Sequence, residues 1–229
     1  FSSLVIHIRR YLLGKLSWRQ LITEFIEGCG ASPGGVHANL PASRQWIALA
    51  ATTSSDFLMK TAVRTNPRDQ LQPIGLIGLD PTGCGIATCL LAQGLKVLAY
   101  NRGASAAQAS VAHIDEALRE LARRAIVPRR RLRGWRRRFQ LVTSIAGLAP
   151  CAFVIEALPE NLSLKRKLFD ELEDYVSAET VIASNTSSFP IGLLQAGRKH
   201  PARFIVMHWG APAQIVRYLE IVPGRRTSP

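Results

Sequence analysis

Long apolar runs are absent from this chain. No stretch reaches the roughly 18 consecutive apolar residues of a membrane-spanning helix, so no membrane partner is expected. Cysteine is scarce, being confined to Cys29, Cys84, Cys89 and Cys151. These are too few for a disulfide scaffold and lack metal-ligand spacing, which excludes both a stapled mini-fold and a zinc-type site. They read as small buried hydrophobes, and a reducing cytoplasm suits them. A clean targeting signal is also lacking. The opening FSSLVIHIRRYLLGKL mixes apolar and basic residues, but no small-residue cleavage site follows an apolar core. The first residue is Phe rather than Met, and the chain reads as a segment of a longer product. What is present, 229 residues of which 47% are hydrophobic, suits one core domain of roughly 100–200 residues plus an extra segment.

Acid is missing from one stretch altogether. LARRAIVPRRRLRGWRRRF holds nine arginines between Arg123 and Arg138 and no Asp or Glu. The net charge of +13 falls to +4 without those nine, so the basic character belongs to this segment and not to the whole surface. It reads as a solvated helix-and-turn surface at the rim of a sheet. Attraction of phosphate groups is the other reading, because guanidinium forks match phosphate geometry. No base-reading motif accompanies the charge, so nucleic acid is not an expected partner.

Residues 1–70 carry little pattern and form a helical or irregular extension without recognisable chemistry. A helix opens at Ser17 with a capping box to Gln20, runs through Glu27 and stops at Gly28. GCGASPGG reads as a linker, and a further helix falls between Ser43 and Ala51. At Pro73 the texture changes. IGLIGLD, KVLAYN, FQLVT, CAFVIEA, TVIASN, RFIVMHW and YLEIVPG read as strands. Between them PTGCGIATCLLAQG, ASVAHIDEALRELARR, NLSLKRKLFDELEDYV (capped by Asn161) and FPIGLLQAG read as helices. Alternating apolar strands and helices over 71–229 predict an α/β fold with a mostly parallel sheet covered on both faces, of the Rossmann-type doubly wound kind.

The turn after the first of these strands carries the chemistry of that fold. A dinucleotide site wants G-x-G-x-x-G there, for the tight turn, the approach of the pyrophosphate and the packing of helix on strand. Gly78 and Gly83 supply the first and third glycines, and Asp80 replaces the second. Its carboxylate brings negative charge towards the phosphates; alternatively it caps the helix, with Pro81 in the first turn. The second strand ends at Asn101, where an acid is expected to hold the ribose 2′-hydroxyl of NAD, and Arg102 follows. That pair suits a 2′-phosphate, which leaves NADP open beside NAD. Near the C-terminus Glu220 sits between apolar residues of a strand and asks for a partner; His208 is the nearby candidate.

FVIEALPENLSLKRKLFDELE, VIASNTSSFPI, MHWGAP and YLEIVPG follow one another in that order. Together they resemble the N-terminal, NAD-binding domain of the 3-hydroxyacyl-CoA dehydrogenases, from about Pro73 to Ser228. The resemblance implies oxidation of a 3-hydroxyacyl-CoA to the 3-oxoacyl-CoA in fatty acid metabolism, with NAD or NADP as cofactor and an acyl-CoA thioester as substrate. It makes His208 the catalytic base, Glu220 its partner carboxylate and Ser187 the hydroxyl on the substrate oxygen. Glu160, Lys165 and Asn185 then lie near the cofactor, and Arg124 stands where a CoA-phosphate lysine can occur.

Three departures weigh against full activity. They are Asp80, Ala211 in place of the asparagine of the family's H-x-x-N-P motif, and Ala117 in place of a helix serine associated with CoA. The chain ends at Pro229, where the family's helical C-terminal domain is expected to begin, and homodimerisation is expected only with that domain. A degenerate nucleotide-binding or interaction module of the same fold is the alternative. A dehydrogenase of free hydroxy acids is a nearer one.

Overall fold

The computed structural model describes residues 72–216 and 218–228. The helices read at Ser17 and Ser43, the linker between them and Cys29 lie outside the described residues. The seven strands are β1 (Ile74–Ile77), β2 (Val97–Tyr100), β3 (Phe139–Val142), β4 (Phe153–Glu156), β5 (Val181–Ser184), β6 (Phe204–Trp209) and β7 (Leu219–Pro223). They form one sheet in the order β3-β2-β1-β4-β5-β6-β7. All neighbours pair in parallel except β6 and β7, which run antiparallel. The order reverses between β1 and β4, as in a doubly wound Rossmann-type sheet, and ligands of such sheets bind beyond the carboxyl ends of the strands at that switch.

The sheet is covered on both faces, so its central strands are short and almost wholly apolar. On one face Ile74, Leu76, Phe153, Ile155, Met207 and Ile221 pack against α1 (Pro81–Ala92) and α2 (Ala104–Arg123). On the other, Ile77, Val154, Ile182, Phe204 and Val206 pack with Phe169 and Leu172 of the helix over Leu162–Leu172 and Leu194 of that over Ile191–Gln195. Successive strand residues point to opposite faces. Glu156, Ser184, His208 and Glu220 therefore all belong to the second face, each two positions from one of its apolar residues. Four polar groups are thus gathered at one end of one face.

Two helix boundaries differ from the sequence reading by four residues or more. α2 begins at Ala104, five residues before the start read at Ala109. The segment Ala104–Gln108 is rich in small residues and shows no apolar stripe, so periodicity missed it. The helix capped by Asn161 ends at Leu172 and not at Val176. Its cap is as read: Asn161 Oδ1 accepts from Leu164 N–H at 3.0 Å.

The arginine segment forms a one-turn helix, α3 (Arg129–Leu132), and a 3-10 turn (Trp135–Arg137) before the edge strand β3. The helices over Leu162–Leu172 and Ile191–Gln195 are accordingly α4 and α5. Arg138 clasps this segment by donating to Leu91 O, Arg131 O and Arg133 O at 3.2, 3.0 and 3.1 Å. Trp135 is buried and donates from its indole to Asp115 at 3.1 Å, while Arg136 lies over its ring. Most of the other arginines of the segment are exposed, as a solvated rim requires. No helix among the described residues is long and apolar enough to cross a membrane.

Phe169 meets Phe204 edge-on at 5.3 Å and has no exposed surface, so it fastens α4 to the sheet. Phe169→Ala is expected to lower unfolding free energy by about 3–5 kcal/mol in a urea titration. A loss below about 1 kcal/mol would show that α4 is not held by this contact.

Candidate active site

The glycine turn is built as a dinucleotide fold demands. Gly78 has φ +94°, and a Cβ there would lie 2.4 Å from Ala157 O. A Cβ on Gly83 would lie 2.1 Å from Gly78 O. Both positions exclude any larger residue, which keeps the strand, the turn and α1 in close contact. Asp80 is the N-cap of α1: its Oδ1 accepts from Gly83 N–H at 2.8 Å, and Pro81 follows at the first helical position. Two of the first three positions of α1 therefore offer no N–H to an anion, one because proline has none and one because the carboxylate has taken it. The shape of the cradle fits the pyrophosphate of a dinucleotide. The charge at its rim does not favour one.

The neighbouring loop braces this turn. Asn101 Oδ1 accepts from Leu79 N–H at 3.2 Å, and Ser110 donates to Leu79 O at 3.1 Å. Asn101 thus shapes the turn through its carbonyl oxygen, with its amide group as the remaining donor. Arg102 is exposed beside it.

A buried network lies under the loops that leave β4 and β5. Glu156 is fully buried at the end of β4, and Lys165 of α4, 1% exposed, is 2.6 Å from its Oε1. Ser184 donates to Glu156 Oε2 at 2.5 Å and Leu158 N–H to Oε1 at 2.6 Å. The Lys165 ammonium also donates to Leu158 O at 3.0 Å and stands 3.7 Å from Glu160. Glu160 accepts from the Thr186 hydroxyl at 2.9 Å and from Ser187 N–H at 2.8 Å, with the Ser187 hydroxyl at 3.4 Å. Burial opposes ionisation of Glu160, but the Ser187 N–H, the Thr186 hydroxyl and the charge of Lys165 outweigh it and hold the carboxyl below its usual range. Lys165, read as a cofactor residue, is in place a buried counter-ion. Its partners are protein groups, and its effect on Ser187 passes through Glu160.

His208 and Glu220 are directly opposed in the β6–β7 ladder. Opposed residues of an antiparallel pair project to the same face. His208 Nδ1 lies 3.5 Å from Glu220 Oε2, with both side chains about a quarter exposed. Tyr218 adds to the pair: its hydroxyl donates to Glu220 Oε2 at 3.4 Å and its ring meets the imidazole edge-on at 5.8 Å. Burial, followed by the Glu220 charge, raises the Tyr218 phenol above its usual range. Asn185 Oδ1 accepts from Trp209 N–H at 2.8 Å, which ties the loop carrying Thr186 and Ser187 to the strand carrying His208. Ser187, Glu160, Asn185, His208 and Glu220 are therefore assembled by one hydrogen-bonded framework at the carboxyl ends of β4, β5 and β6.

Arg124 lies apart, at the end of α2, with its guanidinium 2.5 Å from Glu120. With Ala117, His113, Gln214 and Ile215 it lines an open cavity of about 300 Å³. Ala211 is exposed and precedes Pro212 through a cis peptide bond. The sequence reading missed Glu156, Ser184, Thr186 and Tyr218. Glu156 carried a usable signal: like Glu220, it is an acid inside an apolar strand.

Removing one partner from the buried pair strands the other. Lys165→Met is expected to cost about 3–5 kcal/mol of stability, and adding Glu156→Gln is expected to recover part of that loss in a double-mutant cycle. Additive losses would contradict a coupled pair. Glu160 gives a pH signature. Its lowered pKa stabilises the loop above the ordinary carboxylate value of 4.5, and that contribution is lost as pH falls through the lower folded value. The Ser187 amide resonance is expected to titrate with a midpoint below 4.5; a midpoint at or above it would contradict the assigned hydrogen bonds.

Residues 73–229 match the family described as 3-hydroxyacyl-CoA dehydrogenase, NAD binding domain. Among curated relatives, a 5-formyl-3-hydroxy-2-methylpyridine 4-carboxylate 5-dehydrogenase of Mesorhizobium japonicum is 31% identical over 160 residues, covering 69% of this chain and 51% of its own length. A 3-hydroxyadipyl-CoA dehydrogenase of Escherichia coli is 31% identical over 158 residues, covering 69% of this chain and 33% of its own. Among solved structures, an (S)-3-hydroxybutyryl-CoA dehydrogenase of Ralstonia eutropha superposes with a TM-score of 0.65 at 31% identity, over 69% of this chain and 56% of that one. The chain thus spans between a third and somewhat over half of the length of these relatives. It belongs to the 3-hydroxyacyl-CoA dehydrogenase family, through that family's NAD-binding domain.

Proposed function

We propose that this chain is the cofactor-binding and proton-accepting part of an oxidoreductase that converts a 3-hydroxyacyl-CoA to the 3-oxoacyl-CoA. One observation carries the proposal: His208 and Glu220 face each other across β6 and β7, Nδ1 towards the carboxylate, at the end of the sheet where dinucleotide folds bind their ligands. Glu220 favours the tautomer with hydrogen on Nδ1, which leaves Nε2 as the acceptor. Nε2 then takes the proton of the substrate 3-hydroxyl, and Glu220 stabilises the imidazolium that forms. Ser187, placed by Glu160 and by Asn185, donates its hydroxyl to the substrate oxygen. Bound at the glycine turn, NAD would supply the hydride acceptor. Gly78 and Gly83 would let its pyrophosphate approach the backbone, Asn101 would border its adenosine ribose, and Glu160 and Asn185 would border its nicotinamide end.

The family match from residue 73 supports a division into a dinucleotide-binding domain over 71–229 and an extension over 1–70. An acyl-CoA substrate fits the names of the dehydrogenases of E. coli and R. eutropha. The cavity beside Ala117 and Arg124 is where the CoA portion would lie. A cytoplasmic site of action fits the described cysteines, all free and buried, with the Cys151 thiol pushed up to about 12 by burial. Dimerisation is assigned to a helical domain such as the family carries. A module that keeps the fold without the chemistry is the second reading, favoured by the capped turn at Asp80.

Oxidation of NADH by acetoacetyl-CoA, followed at 340 nm with NADPH as the control, tests the proposal on the 229-residue chain and on a form extended past Pro229. His208→Ala is expected to lower kcat by about 10²- to 10⁴-fold, with NADH affinity unchanged. Unchanged turnover in the variant would show that the base is misassigned. Binding of NADH without turnover in either form would favour the second reading.

A further inference from the structure

Asp80 stands at the one place where this cradle should attract a dinucleotide. A helix N-terminus holds a pyrophosphate through its unsatisfied N–H groups and its positive dipole end. In this chain the carboxylate of Asp80 has bonded to Gly83 N–H at 2.8 Å, and Pro81 removes a second donor. The second position of the glycine motif is also where the phosphates come closest to the backbone. An incoming pyrophosphate would therefore meet the negative charge of Asp80 and find Gly83 N–H already bonded. Asp80 is exposed, so water screens the repulsion without abolishing it.

We infer that Asp80 is an internal anion competitor, one that caps α1 in place of the pyrophosphate and sets the dinucleotide affinity of the domain below what its fold would give. The inference rests on the cofactor assignment above. The energetic penalty falls on phosphate and not on adenine or ribose, because the carboxylate sits at the helix end while Asn101 and Arg102 border the ribose side. The site thus retains the shape for a nicotinamide dinucleotide while discriminating against its charge.

Isothermal titration of NADH, ADP and adenosine into the full chain and two variants tests this. Asp80→Asn keeps an N-cap acceptor and removes the charge; Asp80→Gly also frees Gly83 N–H. NADH and ADP are expected to bind Asp80→Asn about tenfold more tightly, and Asp80→Gly at least as tightly as that. Adenosine is expected to bind all three proteins equally. Melting curves run alongside identify a variant that has lost its fold, and the other variant then decides. Equal or weaker NADH binding by a folded variant overturns the inference while leaving the cofactor assignment intact. An equal gain for adenosine also overturns it, since charge would not be the cause. Failure of all three proteins to bind either NADH or ADP overturns the cofactor assignment itself, and the inference with it.

Discussion

The candidate site depends on a single buried contact, the ion pair between Glu156 and Lys165. Glu156 ends β4, beside the switch in strand order, and has no exposed surface. Left alone, such a carboxylate would cost several kcal/mol of desolvation. Lys165, Ser184 and the Leu158 N–H each give it a hydrogen bond, so α4, β5 and the loop after β4 must converge on one point. That convergence delivers Glu160 to Thr186 and Ser187. The ammonium of Lys165 in turn favours ionised Glu160 and therefore its grip on the Ser187 backbone. A pair of this kind contributes little net stability compared with an apolar substitute, and its value lies in fixing one geometry.

Around this anchor the sheet sorts its polar residues by parity. Apolar side chains alternate between two cores, and Glu156, Ser184, His208 and Glu220 continue the alternation of the second face at the carboxyl ends of β4, β5 and β6. The antiparallel pairing of β7 is what brings Glu220 opposite His208. In a parallel pairing the two residues, twelve apart in sequence, would not meet in this way. The glycine turn beside β1 has been brought to the same end of the sheet, but with a cap that satisfies its helix from within.

Much of the fold was legible because its signals are local. Seven apolar runs became seven strands, since a sheet covered on both faces leaves little choice of side chain. The start of α2 was not legible, because Ala104–Gln108 has helical propensity without a stripe. The ambiguity at Asp80 was also local, and the structure carries the capping half of it through the bond to Gly83. Lys165 shows where sequence runs out. The family resemblance implies a residue near the cofactor, yet only the fold reveals that Glu156, nine positions before it, holds its charge. Tyr218 gave no signal, because one aromatic near a strand start is unremarkable until its hydroxyl reaches Glu220.

The central claim is that a nicotinamide dinucleotide binds across the carboxyl ends of β1, β4 and β5, within reach of His208. Amide chemical-shift mapping of the chain during titration with NADH tests it most directly. The proposed site predicts the largest changes at Gly78–Gly83, at Asn101 and at Asn185–Ser188, with a smaller change at His208. Perturbations confined to the arginine-rich segment around Trp135, with the glycine turn unmoved, would contradict it.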